Sequence, residues 1–87
     1  MPVISRFKGI VIRMNSREHN PPHFHVEYAG KDALVWIETL EVKSGKLPSS
    51  VLSDVKRWAS QHSGELLENW KTLQEGVGFK KIAPLED

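Results

Sequence analysis

The feature that most constrains the fold is an apolar arc between residues 51 and 73, whose members recur at steps of three or four. The arc consists of Leu52, Val55, Ala59, His62, Leu66, Trp70 and Leu73, with Val51, Trp58 and Leu67 at its edges. At about 100° per residue, these positions share one face of a helix. Because one phase holds throughout, the pattern favours a single long helix at about 49–75. Gly64 weakens that prediction by roughly 1 kcal/mol, so a kink at the His62-Ser63-Gly64 segment stays open as the alternative.

The first half of the chain has the alternating pattern of β-strands, and a sheet of such strands could pack against this helix. The clearest is HFHVEY, in which Phe24, Val26 and Tyr28 alternate with polar residues. Strands are predicted at about 3–14, 23–29, 33–38 and 40–43, with a short strand at 79–83 as a further candidate. Gly9, inside the first strand, is interpreted as a β-bulge. The order predicts an α+β domain in which a small antiparallel sheet of three to five strands packs one face on the helix.

The composition limits what the chain can be. Its 87 residues suit one domain, spanning 1–87, and so small a core favours pairing with a second copy, which makes a homodimer one expectation. A net charge of +1 argues against a general nucleic-acid or membrane-surface binder. The absence of cysteine excludes disulfides and thiolate sites. With no apolar run of membrane-spanning length and no signal-peptide pattern, we expect a cytoplasmic protein.

The segment EHNPPHFHVEY, residues 18–28, carries three of the four histidines. On a strand, His23, His25 and Glu27 lie on one side, with Cα atoms of successive members about 6.6 Å apart. Two imidazoles and a carboxylate suit Zn²⁺ or Fe²⁺, and His19 on the preceding loop could complete the set. The alternation equally fits polar residues on the solvated side of an amphipathic strand, and the pattern leaves both interpretations open.

The same histidines are also candidates for acid–base catalysis without a metal. An unperturbed imidazole titrates near pH 6.5, so His19, His23 and His25 could supply one protonated and one neutral ring. That pair is what cleavage of RNA requires, with Arg17 as a candidate for holding phosphate. This interpretation predicts a small hydrolase that acts on RNA or DNA, with or without a divalent metal.

A third interpretation treats the segment as a surface for a protein partner. Stiff prolines present rings at a low entropic cost, and aromatic residues often anchor interfaces. The candidate partner-binding residues are His19, Pro21, Pro22, His23, His25 and Tyr28. No glycine-rich phosphate loop or nucleophile elbow is present to favour another chemistry.

Four segments together resemble the small bacterial family known as domain of unknown function 4160. They are ISRFKGIVIRM, EHNPPHFHVEY, GKLPSSVLSDVKRWASQHSGELLENW and KKIAPLE, which cover nearly the whole chain in order. The most specific part is an acidic-His-x-Pro-Pro-His-Phe-His block, matched by Glu18, His19, Pro21, Pro22, His23, Phe24 and His25. Glu18 stands where family members often have Asp, which keeps the charge.

The resemblance implies a compact cytoplasmic bacterial protein without an established activity. Members are often encoded beside a second small protein, of unknown-function family 2442, in an arrangement similar to toxin–antitoxin pairs. The leading hypothesis is therefore a protein-interaction module in a two-protein, toxin–antitoxin-like system. The nucleic-acid hydrolase stays as the alternative, so whether the chain is an enzyme is left open.

Overall fold

The computed structural model describes residues 2–86, which fold into a sheet of five strands followed by two helices. The strands are β1 (Val3–Phe7), β2 (Ile10–Arg13), β3 (His23–Tyr28), β4 (Lys31–Trp36) and β5 (Val42–Gly45), and the helices are α1 (Ser49–Gln61) and α2 (Ser63–Gln74). The strands lie side by side in chain order, each antiparallel to its neighbour. The predicted α+β class with an antiparallel sheet is confirmed.

The segment predicted as one strand over 3–14 is instead a hairpin of β1 and β2. Lys8 and Gly9 have φ angles of 51° and 75°, the left-handed pair that a tight two-residue hairpin turn requires. Phe7 and Ile10 face each other across the turn, and both are buried. The alternation therefore changes phase here because the chain reverses, and Gly9 is a turn residue rather than a bulge.

A second two-residue turn, Ala29–Gly30, joins β3 to β4, which begins and ends two residues earlier than predicted. The loop after β4 contains Leu40 with a φ of 62°, so this point is a turn rather than a bend in one long strand. Accordingly β5 begins at Val42, where the sequence suggested a strand at 40–43.

The predicted long helix over 49–75 is wrong, because the chain forms α1 and α2 with a break at His62. The φ of His62 is −128°, outside the helical range, and its N–H bonds the carbonyl of Ala59, a bond of the short i→i−3 type. Its own carbonyl accepts the N–H of Leu66 and so begins α2. The break falls at the first residue of the His62-Ser63-Gly64 segment, where a kink was the alternative. Within residues 2–86, no helix is long and apolar enough to cross a membrane.

The core lies between one face of the sheet and the two helices. Trp58 of α1 is fully buried at its centre, with ring centroids 5.3 Å from Phe7 and 6.1 Å from Phe24. Phe24 and Val26 face this core with no exposed area, as the alternation predicted, while Tyr28 is half-buried at its edge.

The C-terminal segment closes the core without forming the short strand suggested at 79–83. It runs beside β1, where the Ile82 N–H donates to the Ile4 carbonyl. The Trp58 indole N–H donates to the Ala83 carbonyl at 2.8 Å, and Leu85 is buried. The segment therefore acts as a strap over α1 and the first strand.

Candidate functional site

The loop of residues 14–22, between β2 and β3, folds back so that Glu18 lies over the start of β3. Its backbone N–H donates to the Oε1 atom of Gln74 at the end of α2, at 3.0 Å. Asn15 Nδ2 donates to Glu18 Oε1 at 2.8 Å. Contacts with both a distant helix and its own loop therefore hold this carboxylate in place.

Glu18 meets two histidines of β3. Its Oε1 atom lies 2.8 Å from His25 Nε2, and its Oε2 atom lies 3.6 Å from His23 Nε2. One ligand atom from each of the three residues lies within 4.8 Å of the others, so together they could hold one metal ion. We call Glu18, His23 and His25 the carboxylate–histidine cluster.

His23 is buried, with 5% of its surface exposed, although the alternation along β3 predicted that it faces water. That prediction is wrong because two tryptophans cover the ring. Trp36 is the cross-strand partner of His23, with ring centroids 5.9 Å apart, and Trp70 of α2 lies at 5.0 Å. The outer face of the sheet is thus covered at the end where β3 begins, while His25 remains partly exposed.

Hydrogen-bond partners fix the protons on both rings. His23 Nδ1 lies 2.9 Å from the Pro21 carbonyl oxygen, which can only accept, so Nδ1 carries the hydrogen. His25 Nε2 faces a carboxylate oxygen at 2.8 Å and therefore donates to it. In neutral His23 the remaining Nε2 lone pair points toward Glu18.

The protonation of Glu18 follows from opposing influences on its pKa. Partial burial raises the pKa. Hydrogen bonds from His25 and Asn15, together with the charges of His23 and His25 when protonated, lower it by more than burial raises it. The net effect holds the pKa of Glu18 below its usual value of 4.5. At neutral pH it is an ionised carboxylate that can only accept hydrogen bonds or bind a cation.

Several residues predicted for the site lie outside this cluster. Glu27 lies 2.7 Å from the Nε atom of Arg13 on β2, rather than beside the imidazoles. His19 and Arg17 are exposed on the loop, on either side of Glu18. Glu18 itself was missing from the predicted ligand sets. Its signal was the acidic first position of the His-Pro-Pro-His block, but only the folded loop brings it to β3.

The predicted partner-binding residues also separate in space. Pro21 and Pro22 line an apolar groove of about 360 Å³ beside Trp36, whereas Tyr28 lies at the opposite end of β3, next to the Gly9 turn. We call this feature the Trp36 groove, lined by Pro21, Pro22, Trp36, Glu38, Thr39 and Glu41. Sequence reasoning missed Trp36 because it lies 14 residues beyond the prolines.

Comparison with known proteins bears on the family alone. No curated protein and no solved structure matches the chain. A family model described as "Domain of unknown function (DUF4160)" matches residues 9–71, which include β2 to β5, all of α1 and most of α2. This match covers more than half of the chain and contains both the cluster and the groove. The chain therefore belongs to the domain of unknown function 4160 family.

Proposed function

We propose that this protein is a binding module of a two-protein, toxin–antitoxin-like system and that its partner docks on the Trp36 groove. The observation that supports the proposal most is the rigid apolar surface that two prolines and a half-buried tryptophan form beside the carboxylate–histidine cluster. The partner we expect is the small protein of unknown-function family 2442, cytoplasmic like this one.

The groove combines the properties of an interface anchor. Pro21 and Pro22 have no side-chain rotamer freedom to lose, so binding against them costs little entropy. Tryptophan is among the residues that most often dominate binding energy, and Trp36 is held by its edge-on contact with the buried His23 ring. A surface of this kind is already in its binding shape before a partner arrives.

The charge at the groove indicates the chemistry of the docking segment. Glu38 and Glu41 are exposed at its rim. Lys43 places its ammonium 5.4 Å from the centre of the Trp36 ring, so this chain already holds one cation against the ring face. We therefore expect the partner to insert an apolar side chain that is flanked by Lys or Arg.

The test is to copurify the two untagged proteins and measure their affinity. We expect a complex at micromolar concentration. Trp36→Ala should weaken it at least about 30-fold, the equivalent of a hot-spot residue of about 2 kcal/mol. The double charge reversal Glu38→Lys with Glu41→Lys should weaken it mainly by slowing association, since rim charges act on the on-rate.

A matched control is Glu68→Lys, an exposed charge reversal on α2. It should leave the affinity unchanged, and thermal melts should show that each variant is folded. If no complex forms at micromolar concentration, or if the groove variants bind as well as Glu68→Lys, the proposal is wrong.

A hydrolase acting on RNA or DNA is the second candidate, and convergence of Glu18, His23 and His25 is the observation that favours it. Beside His25 a concavity of about 490 Å³ opens on the outer sheet face, lined by His25, Glu27, Asp32, Ala33, Leu34, Ser44 and Gly45. Arg13 is the cross-strand neighbour of His25 and pairs with Glu27, so a phosphate in this concavity would compete with Glu27 for the Arg13 guanidinium.

Cleavage assays on single-stranded RNA and DNA, with and without added Zn²⁺, test this candidate. Activity that disappears in His25→Gln while partner binding persists would support the hydrolase. Absence of cleavage both with and without Zn²⁺ would rule out the hydrolase candidate.

A further inference from the structure

We propose that Glu18, His23 and His25 form a binding site for one divalent transition-metal ion, Zn²⁺ or Fe²⁺, with a coordination position open to solvent. The site shares no ligand with the Trp36 groove, although Trp36 and Pro21 of the groove contact the His23 ring. It also differs from the set that the sequence suggested, since Glu18 replaces Glu27 and His19.

The distance from each histidine to the carboxylate is close to what one ion needs, and all three ligand atoms lie within 4.8 Å of one another. Metal–ligand bonds of about 2.0–2.2 Å in a tetrahedral site place ligand atoms roughly 3.3–3.6 Å apart. His23 Nε2 and Glu18 Oε2 already lie 3.6 Å apart. His25 Nε2 and Glu18 Oε1 are 2.8 Å apart because the Nε2–H donates to the carboxylate. To bind a metal ion, His25 must adopt the tautomer with its hydrogen on Nδ1, which frees the Nε2 lone pair, and the two atoms must separate by roughly 0.6 Å. Both side chains are about a quarter exposed, so they have room for that shift.

The hydrogen bonds around His23 prepare it as a ligand. Its Nδ1–H donates to the Pro21 carbonyl, the arrangement that orients metal-binding imidazoles and fixes their tautomer. The Nε2 lone pair of neutral His23 then points toward the anionic Glu18 carboxylate. Two acceptors facing each other repel unless a cation lies between them. A metal ion satisfies this requirement and, unlike a proton, would engage His25 as well.

The site is buried and rigid on the side of His23, and it is open to solvent on the side of Glu18 and His25. Trp36 and Trp70 pack on the His23 ring and prevent it from rotating away. Glu18 is tied to α2 through its backbone. The partly exposed sides of Glu18 and His25 leave room for water as a further ligand. Two neutral imidazoles and one carboxylate are a recurring donor set for zinc and for non-haem Fe²⁺ with open positions.

The experiment is a metal titration of untagged protein after chelator treatment. Calorimetry with Zn²⁺ and visible absorption with Co²⁺ should each show one ion per chain, with a Kd of about 1 μM or tighter. Zn²⁺ should also raise the melting temperature, because it binds the folded state. Glu18→Gln and His25→Gln should weaken binding at least about 100-fold, since even an outer-shell partner is worth 10–100-fold.

Matched control variants distinguish metal binding at the carboxylate–histidine cluster from metal binding at other side chains. His19→Gln removes an exposed imidazole next to Glu18, and Glu27→Gln removes the other carboxylate that the sequence suggested. His62→Gln removes a second histidine–carboxylate contact, that of His62 Nδ1 with Glu65 Oε1 at 2.6 Å. All three should bind Zn²⁺ as the unchanged protein does. Glu38→Lys in the groove should do the same, so failure of the partner proposal would not affect this result.

Imidazole ¹⁵N spectra of the unchanged protein provide a test without substitutions. Zn²⁺ should shift the Nε2 resonances of His23 and His25 and leave those of His19 and His62 in place. The proposal is overturned by an absence of one-to-one binding, by binding that survives Glu18→Gln and His25→Gln, or by shifts confined to His19 or His62.

Discussion

At the scale of single residues, the turns carry unusual backbone angles. Ala29 has a φ of 49° in the turn between β3 and β4 and is exposed. The left-handed region costs a residue with a Cβ atom about 1–2 kcal/mol, and asparagine tolerates it better than alanine. Alanine is therefore a poor choice for this position on local grounds.

Replacing Ala29 by Asn should stabilise the protein. We expect the free energy of unfolding to rise by about 0.5–1 kcal/mol, because Asn-Gly is the preferred pair for such a turn. For a domain of this size the melting temperature should rise by roughly 3 °C or more, measured by circular dichroism. Ala29→Val is the contrasting variant and should lower it, since a β-branched residue is strained at positive φ. Equal melting temperatures for Asn and Val would contradict the argument.

At the scale of elements, the break at His62 divides what the sequence presents as one helix. His62 keeps its ring against Trp58, with centroids 5.6 Å apart, and its Nδ1 lies against Glu65, so it is a packed histidine with one satisfied nitrogen. The break sends α2 in a new direction. That change lets Trp70 reach His23 while Trp58 stays against Phe24.

Two glycine substitutions should act in opposite directions. A Cβ atom at Gly64, in the first turn of α2, meets nothing within 4 Å, so Gly64→Ala should stabilise the protein by about 0.4–1 kcal/mol. At Gly45, with a φ of 84°, a Cβ atom would lie 2.1 Å from the Asp32 carbonyl oxygen. Gly45→Ala should therefore cost at least about 1–2 kcal/mol and loosen β5 from β4.

Urea denaturation of the two variants measures both effects in one assay. If Gly64→Ala destabilised the protein, α2 would need glycine at this position even though a Cβ atom there meets no neighbouring atom. Tolerance of Gly45→Ala would mean that β5 shifts away from β4 at little cost.

At the scale of the whole molecule, the C-terminal strap joins parts of the chain that are distant in sequence. Asn69 of α2 is buried at 3% exposure and bonds both backbone groups of Lys80, at 2.7 and 2.8 Å. Together with the bond from Trp58 to Ala83, this contact holds Ile82 and Leu85 over the core. The strap thereby completes the burial of Trp58.

Asn69→Ala should release the strap. The substitution leaves a backbone donor and acceptor of Lys80 without their partner, which should lower the free energy of unfolding by about 1–3 kcal/mol. Amide exchange at Ile82 should accelerate, because its bond to Ile4 depends on the position of the strap. Glu68→Ala, the exposed neighbour on the same helix, is the control and should change neither quantity. Unchanged exchange in Asn69→Ala would show that the apolar contacts alone hold the strap.

Features that depend on short-range periodicity could be predicted from the amino-acid sequence, above all which side chains of each strand and helix face the core. Alternation along β3 placed Phe24 and Val26 in the core because successive side chains of a strand must point to opposite faces. The helical arc identified most of the buried side chains of α1 and α2 for the same reason. The block at residues 18–25 likewise identified the family and two members of the carboxylate–histidine cluster, His23 and His25.

The positions of the first hairpin turn, of the break between the two helices and of Glu18 beside the histidines depend on the folded structure and not on local sequence patterns. The Lys8–Gly9 turn and the His62 break each depend on backbone angles of one or two residues that periodicity does not record. Glu18 joins the histidines because its loop folds back onto Gln74, 56 residues away in sequence. His23 is buried by Trp70 for a similar reason. The convergence of Glu18, His23 and His25 is a property of distant contacts, which a local pattern cannot encode.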